Sequence, residues 1–263
     1  MAERMLQIVG GGRMGEALLG GLLAAGHPAD ALAVAEVSAA RREQLEASYG
    51  GVTVVERPLA APDALLAVKP GDVAAAAAAV AEEGAERALS VAAGVTTRAI
   101  EEASGGRLRV VRAMPNTPAL IGAGAAAISA GARAGEEDMA WAESVLGAVG
   151  VVVRVPEQDL DAVTGVSGSG PAYVFLVAEA LADAGVLNGL PRDVAETLAF
   201  QTLAGAARLL AEGDAGPADL RAAVTSPGGT TAAGLAELER HGVRAALLDA
   251  VTAATRRARE LGA

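Results

Sequence analysis

The chain has 263 residues, of which 52% are hydrophobic and 2% aromatic, and its formal net charge at pH 7 is −11. This length is enough for a nucleotide-binding domain and a smaller partner domain, with a core built from Ala, Val and Leu. The negative charge argues against nucleic-acid binding, which requires a basic face. The chain has no cysteine, which excludes disulfides, thiol nucleophiles and thiolate metal sites. Its two histidines, His27 and His241, are far apart in sequence, so no metal site is expected.

The first motif in the chain is a glycine-rich loop that follows the apolar run Met5–Val9 and precedes a helical pattern. The loop has the spacing G-x-G-x-x-G. In this spacing, Gly10 allows a tight turn, Gly12 lets the backbone approach a pyrophosphate, and Gly15 allows close packing of helix on strand. The N-terminus of the following helix faces the phosphates. Strand, loop and helix together predict a dinucleotide site.

The adenosine end of such a site is marked by Glu36, which ends the next apolar run. An acidic residue roughly 20 residues beyond the loop typically hydrogen-bonds a ribose hydroxyl, which favours NADH and repels the 2′-phosphate of NADPH. Ser38, Arg41 and Arg42 favour the opposite choice, because they offer donors to that phosphate. Both arginines are equally explained as solvated helix residues. The signals conflict, and the two arginines shift the expectation weakly to NADPH.

Beyond this loop, apolar strand patterns alternate with helical patterns, which is typical of a parallel sheet covered by helices. Ligands bind beyond the carboxyl ends of such strands, which places further contacts in two turns. These contacts are Ala67, Val68, Lys69, Pro70, Ala92, Ala93 and Gly94. The predicted strands are Val52–Val55, Ala64–Val68, Ala88–Ala92, Leu108–Ala113, Gly124–Ser129 and Val151–Val155, and the helices between them are Val73–Glu83, Thr97–Ala103 and Glu136–Val149.

After Pro156 the strand patterns stop and the rest of the chain reads as helical. The predicted fold class is therefore α/β, with an N-terminal Rossmann-type doubly wound sheet in residues 1–156 and an all-helical dimerisation domain in residues 157–263. The run Tyr173–Val177 is too apolar for a helix with a free face, which predicts burial inside the domain or against another subunit. The predicted helices are Leu160–Gly165, Pro171–Gly185, Pro191–Glu212, Pro217–Val224, Thr231–His241 and Val243–Leu261.

No targeting or membrane segment is expected from the sequence. Residues 1–4 lead directly into the first strand and leave no room for a signal peptide. The longest uncharged stretch, Ala113–Ala132, is long enough to span a bilayer, but prolines and glycines interrupt it. A soluble cytoplasmic protein is therefore expected.

A second loop, Ser226–Thr231, contains hydroxyl groups and free backbone N–H groups but no charge. Its Gly-Gly pair lets the backbone turn its amides inward as a nest for an anion, and the Ser and Thr side chains add donors. An ordinary surface turn is the alternative for a Pro-Gly-Gly sequence. The glycine-rich loop near the N-terminus favours the anion site, because it binds an anion of a different kind.

Several motifs together resemble pyrroline-5-carboxylate reductase, and the resemblance extends almost from end to end. These motifs are Gly10–Gly15, Ala67–Pro70, Val91–Val95, Arg112–Ala119, Gly165–Tyr173 and Ser226–Thr231. The resemblance implies an NAD(P)H-dependent reduction of the small molecule 1-pyrroline-5-carboxylate to proline. It also implies a homodimer whose helical domains interlock, and higher assemblies of dimers occur in the family.

The same resemblance implies roles for single residues. The Thr231 hydroxyl would hydrogen-bond the ring nitrogen of the substrate. The substrate carboxylate would be held by Ser226, Gly228, Gly229 and Thr230. The coenzyme contacts would be Gly10, Gly12, Arg13, Met14, Glu36, Ser38 and Arg41, together with the two turns named above.

Two other functions match parts of this sequence. Reductases of β-hydroxy acids and of other imines also join a dinucleotide domain to a helical one, but they usually present a lysine as acid, and residues 159–263 contain none. A nucleotide-binding sensor would keep the first loop and lose the second, yet Ser226–Thr231 is intact. Reduction of the cyclic imine is therefore the favoured prediction.

Overall fold

The computed structural model describes residues 5–262. Its contacts divide the chain into two compact units, which are Met1–Ser169 with Thr252–Ala263, and Gly170–Val251. The predicted domain boundary after residue 156 stays a prediction.

The first unit contains one eight-stranded sheet with the order β3-β2-β1-β4-β5-β6-β7-β8. The strands are β1 Leu6–Val9, β2 Leu32–Ala35, β3 Thr53–Val55, β4 Asp63–Leu66, β5 Arg87–Ser90, β6 Arg109–Met114, β7 Gly124–Ala130 and β8 Gly150–Arg154. The helices are α1 Arg13–Ala24, α2 Ala39–Ser48, α3 Val73–Glu82, α4 Thr97–Ala103, α5 Glu136–Gly147 and α6 Leu160–Val163.

The core lies on both faces of this sheet, because successive side chains of a strand point to opposite faces. In β4, Leu65 belongs to the cluster that includes buried residues of α1 and α5. Its neighbours Ala64 and Leu66 belong to the cluster that includes α3 and α4. Every residue of β1, β2 and β4 is buried, as expected for strands covered by helices on both sides.

The predicted parallel pairing is confirmed for β1 to β6, but it is wrong for β7, which runs antiparallel to β6. The connection through residues 115–123 is shorter than the crossover of about a dozen residues that a parallel pair requires. Strand β8 is parallel to β7 because α5 supplies their crossover. The strand order reverses between β1 and β4, and doubly wound sheets bind their ligands at this reversal.

The predicted strands and helices of the first unit are confirmed, with shifts at their ends, but two elements differ. Helix α2 was not predicted as an element, although Ser38 is its N-cap. The helix predicted over Leu160–Gly165 ends at Val163 and continues as a π-helical turn, Thr164–Gly168. In that turn, the N–H of Ser169 donates to the carbonyl of Thr164 at 2.8 Å.

The second unit is helical, and apolar side chains lie on its surface. Its helices are α7 Gly170–Leu187, α8 Arg192–Glu212, α9 Pro217–Ala223, α10 Thr230–Arg240 and the first part of α11 Val243–Gly262. On α7, Phe175 is 62% exposed and Leu176 is 66% exposed. Of the two alternatives for Tyr173–Val177, burial inside the domain is therefore wrong. Among the described residues, one helical segment, Glu157–Leu187, has the length and composition to cross a membrane.

A buried ion pair joins the amino ends of β4 and β5. Asp63 is 3% exposed, and the Nε and Nη2 groups of Arg87 donate to its two carboxylate oxygens at 2.7 and 2.9 Å. The Arg87 guanidinium also lies 4.3 Å from the ring centroid of Trp141 on α5, which is a cation–π geometry. The pair ties the sheet to α5 at the edge opposite the glycine-rich loop.

We expect the substitution Asp63→Ala to lower the free energy of unfolding by about 3–5 kcal/mol, because it leaves the Arg87 charge without its partner in a low-dielectric setting. Denaturant unfolding at a fixed protein concentration measures this change. The control is Arg98→Ala, which removes an exposed i,i+4 ion pair with Glu102 and should leave the unfolding midpoint unchanged. Equal stability of Asp63→Ala and wild type would contradict the assignment.

Candidate functional site

The glycine-rich loop brings the start of α1 unusually close to the end of β1. A Cβ atom on Gly15 would lie 2.0 Å from the carbonyl oxygen of Gly10, so no other residue fits at position 15 without moving the backbone. Gly10 has φ +101°, and a Cβ there would lie 2.6 Å from the carbonyl oxygen of Ala67. Both glycines are therefore required by backbone contacts inside the protein.

Gly12 differs, because no protein atom lies within 4 Å of the position of its missing Cβ. Gly12 is the N-cap of α1, with φ −68° and ψ −173°. Every residue type can adopt this conformation. The open space adjoins the N-terminus of a helix of 12 residues, where the first N–H groups have no partner within the helix and the helix dipole is positive. The arrangement fits a pyrophosphate, which needs N–H donors and close backbone approach.

The two predicted turns follow β4 and β5, which are neighbouring strands, so they lie along the same carboxyl edge of the sheet. The N–H of Ala67 donates to the carbonyl of Val9 at 2.8 Å, which holds the first turn beside the glycine-rich loop. Ala92 is buried, whereas Ala93 and Lys69 are exposed. The structure thus brings both turns to the ligand-binding edge.

The back of the second turn is covered by residues that sequence reasoning missed. A Cβ on Gly94, which has φ +77°, would lie 3.2 Å from the carbonyl oxygen of Leu261. A Cβ on Gly262 would lie 2.8 Å from the carbonyl oxygen of Gly94. The end of α11 therefore supports this turn through backbone contact, and no local sequence signal indicates it.

At the adenosine end, the carboxylate of Glu36 is held by backbone N–H groups. Gly11 donates to its Oε2 at 2.9 Å, and Ser38 donates to its Oε1 at 2.9 Å. These bonds keep a negative charge next to the glycine-rich loop, at the end of β2. The orientation of the Glu36 carboxylate is therefore fixed by the protein, and its contact with a coenzyme stays a prediction.

The two arginines are bonded to other acceptors. Arg41 donates from Nε to the carbonyl of Gly11 at 2.7 Å and forms an ion pair with Glu16. Arg42 donates from Nη1 to the carbonyls of Glu36 and Val37 at 2.8 and 2.9 Å. The charge of Arg41 is thus already matched by a carboxylate on α1.

Glu16 also affects a neighbouring phenol. Tyr49 follows α2 and donates to Glu16 Oε1 at 3.4 Å. Burial, followed by the negative charge and hydrogen bond of Glu16, raises the pKa of the Tyr49 phenol. Tyr49 therefore stays a neutral hydrogen-bond donor near pH 7.

Two further residues of the glycine-rich loop were predicted as coenzyme contacts. Arg13 is exposed, and Met14 is partly buried and packs against the core.

The second predicted site, Ser226–Thr231, belongs to the second unit. Ser226 accepts a hydrogen bond from the N–H of Gly229 at 3.0 Å, and Gly228 has φ +69°, so Pro227 and Gly228 form a turn that requires glycine. Gly229 is the N-cap of α10, and a Cβ on it would lie 2.4 Å from Ser226 Oγ. Thr230 and Thr231 occupy the first turn of α10, with Thr231 half-buried.

This loop combines three kinds of donor. The free N–H groups at the start of α10, the Ser226 hydroxyl beside them, and the threonine hydroxyls all lie in one segment. Such an arrangement binds an anion without any cation. Its chemistry fits a carboxylate.

The family comparisons agree with this geometry. The family described as pyrroline-5-carboxylate reductase dimerisation matches residues 157–261, and the family described as NADP oxidoreductase coenzyme F420-dependent matches residues 5–94. A pyrroline-5-carboxylate reductase of Synechocystis is 47% identical to this chain over 263 residues, which cover 98% of each protein. The chain belongs to the pyrroline-5-carboxylate reductase family.

Solved structures of other pyrroline-5-carboxylate reductases have the same fold. A structure from Coxiella burnetii is 36% identical, with a TM-score of 0.93 and 99% of each chain covered. A structure of the Plasmodium falciparum protein with NADP bound is 28% identical, with a TM-score of 0.85 and full coverage of both chains. The resemblance and the fold class predicted from the sequence are therefore confirmed.

We expect Gly12→Val to weaken coenzyme binding at least ~10-fold, which corresponds to about 1.4 kcal/mol, while the melting temperature stays near that of wild type. The Cβ of the added side chain enters open space, so we expect most of its cost to fall on the ligand. Titration of intrinsic fluorescence with reduced coenzyme measures the dissociation constant. Gly147→Val, at another glycine with open surroundings, is the control. An unchanged dissociation constant would remove Gly12 from the site.

Proposed function

We propose that this protein reduces 1-pyrroline-5-carboxylate to L-proline with NAD(P)H, the last step of proline biosynthesis. The observation that carries the proposal is the pair of glycine-containing loops with backbone N–H donors, Gly10–Gly15 and Ser226–Thr231, in a chain 47% identical to a reductase of that name. One loop suits a pyrophosphate, and the other suits the carboxylate of a small ring. We propose two functional domains: residues 1–156, which contain the dinucleotide site, and residues 157–263, which contain the substrate loop.

Reduction of a cyclic imine requires three contributions: a hydride for the carbon, a proton for the nitrogen, and a grip on the carboxylate that fixes the reacting face. The reduced nicotinamide supplies the hydride when it is bound. The residues that would hold the coenzyme are Gly10, Gly12, Arg13, Met14, Glu36, Ser38, Arg41, Ala67, Val68, Lys69, Pro70, Ala92, Ala93 and Gly94.

The protein's own contribution at the substrate is hydrogen bonding. Thr231 donates its hydroxyl to the ring nitrogen and orients it. Ser226, Gly228, Gly229 and Thr230 surround the carboxylate, which is held by the two hydroxyls and by backbone N–H groups other than that of Gly229, since the Gly229 N–H donates to Ser226. A strong acid is not needed, because an imine nitrogen accepts a proton near neutral pH far more readily than a carbonyl oxygen does.

We expect wild-type protein to oxidise reduced coenzyme when 1-pyrroline-5-carboxylate is added, and Thr231→Ala to lower kcat by roughly 10- to 1,000-fold, the scale for removing one positioned donor. Loss of nicotinamide absorbance and chromatographic detection of proline measure the reaction. Thr231→Ser keeps the hydroxyl and should retain most of the rate. Coenzyme binding without oxidation in the wild type would indicate a sensor. Wild-type kcat in Thr231→Ala would remove this residue from its role.

We also propose that NADH is preferred over NADPH. The earlier expectation of NADPH depended on Arg41 and Arg42, but Arg41 is paired with Glu16 and Arg42 donates to backbone carbonyls. The fixed carboxylate of Glu36 can accept a hydrogen bond from a ribose hydroxyl and repels a 2′-phosphate. The balance of contacts therefore favours the coenzyme without that phosphate.

We expect kcat/KM to be higher with NADH than with NADPH, and Glu36→Ser to shift the ratio toward NADPH by roughly 10- to 100-fold, because it removes a like charge from the phosphate position. Glu16→Gln should shift it in the same direction by less, since it frees Arg41 from its ion pair. Steady-state rates with both coenzymes measure the ratio. Glu46→Gln removes an exposed charge from α2, the helix that carries Arg41, and is the control. A wild type that prefers NADPH would contradict the proposal.

The helical region matches a dimerisation family, and the protein forms a homodimer through it. A second copy accounts for the apolar side chains that are exposed on α7, α8 and α11, because patches of this kind usually mark an interface. These side chains include Phe175, Leu176, Leu198, Phe200, Leu209 and Leu248. We propose that such dimers form a higher assembly, that the protein is cytoplasmic, and that it acts without a metal, a nucleic acid or a membrane.

A further inference from the structure

The side chain of Asn116 bridges two motifs that have no role in the coenzyme or substrate loops. Asn116 follows β6 after Pro115, at the carboxyl edge of the sheet. Its Oδ1 accepts from the N–H of Ala125 on β7 at 2.9 Å, and its Nδ2 donates to the carbonyl of Ser167 at 3.1 Å. The amide orientation is unambiguous, because a flipped amide would face a donor with a donor and an acceptor with an acceptor.

The carbonyl of Ser167 has a particular need for this donor. In a regular helix the carbonyl of residue 167 would accept from the N–H of residue 171, and residue 171 is proline, which has no N–H. Ser167 lies in the π-helical turn Thr164–Gly168, and π-turns frequently occur at functional sites. Asn116 therefore supplies from the sheet a hydrogen bond that the helix backbone cannot make at this position.

The bridge also fixes a contact at the end of β6. A Cβ on Gly168 would lie 2.5 Å from the Cε of Met114, so the Met114 side chain rests against the backbone of the π-turn. Met114 is the last residue of β6, and β6 pairs with β5, which leads into the turn Ala92–Gly94 assigned to the coenzyme. Without the hydrogen bonds of Asn116, the loop after β6 and the π-turn that Met114 contacts would no longer be held together.

We propose that Asn116 is a positioning residue for hydride transfer. Its side-chain amide holds the loop after β6, the start of β7 and the π-turn in one register, and so fixes the position of Met114 at the ligand edge of the sheet. This inference rests on the proposed reductase activity. It assigns Asn116 no contact with substrate or coenzyme.

The test compares Asn116→Ala and Asn116→Asp with wild type in kcat, KM and the dissociation constant of the coenzyme. Asn116→Asp keeps the acceptor for Ala125, removes the donor to Ser167 and sets a carboxylate oxygen against that carbonyl, so it breaks the proposed bond with the least change in packing. We expect kcat to fall roughly 10- to 100-fold, the scale of a small misplacement of reacting groups, while the coenzyme dissociation constant changes less than about threefold.

The decisive step is a double-mutant cycle with Pro171→Ala, which gives residue 171 an N–H group that can donate to the carbonyl of Ser167. We expect the loss of kcat caused by Asn116→Ala to be at least about fivefold smaller in the Pro171→Ala background. A residue that merely fills space would show the same loss in both backgrounds. The control is Asn188→Ala, which removes an exposed amide-to-carbonyl bond at the end of α7 and should leave kcat unchanged.

Wild-type kcat in Asn116→Asp, or equal losses in the two backgrounds, would overturn this inference while leaving the proposed function intact. A wild-type protein that does not reduce the imine would instead overturn the proposed function, and this inference with it. Melting temperature and size-exclusion chromatography identify any variant that fails to fold or assemble. If Asn116→Ala fails in this way, the comparison of Asn116→Asp with wild type decides the outcome.

Discussion

The contact between Gly15 and the carbonyl of Gly10 is the constraint on which the first unit depends. A Cβ at position 15 would lie 2.0 Å from that oxygen, so α1 reaches this position only because the side chain is absent. The same approach places the N-terminus of α1 at the strand-order reversal between β1 and β4 and leaves open space at Gly12. One steric requirement therefore creates both the packing of the helix and the place where an anion fits.

Several arginines of the first unit are already paired with carboxylates. Arg41 beside the glycine-rich loop is matched by Glu16, Arg87 at the opposite edge of the sheet by Asp63, and Arg112 by Glu157. Backbone N–H groups and hydroxyls are left to bind anions in both loops. Preorganised dipoles of this kind need no reorganisation when charge changes during a reaction. They suit an imine, whose nitrogen changes its charge and whose carboxylate does not react.

Local features of the site could be predicted from the sequence, whereas long-range partners could not. The glycine spacing and the strand patterns are local signals, and the structure matches them, whereas the coenzyme contact of Glu36 stays a prediction. Helix α2 was missed because Leu45 is its one buried residue, so its apolar period is weak. The direction of β7 could have been inferred from its short connection to β6. The Asn116–Ser167 and Gly94–Gly262 contacts join residues far apart in the chain, and such pairs leave no trace in local composition.

The proposed reduction requires the coenzyme to give its hydride directly to the imine carbon of the substrate. The most direct measurement is mass spectrometry of proline formed by the purified protein from unlabelled imine and coenzyme deuterated at both positions of the nicotinamide C4. We expect one deuterium in each proline, at the former imine carbon, and none at that carbon when the label is supplied only in solvent. Proline without coenzyme-derived deuterium, or no proline at all, would contradict it.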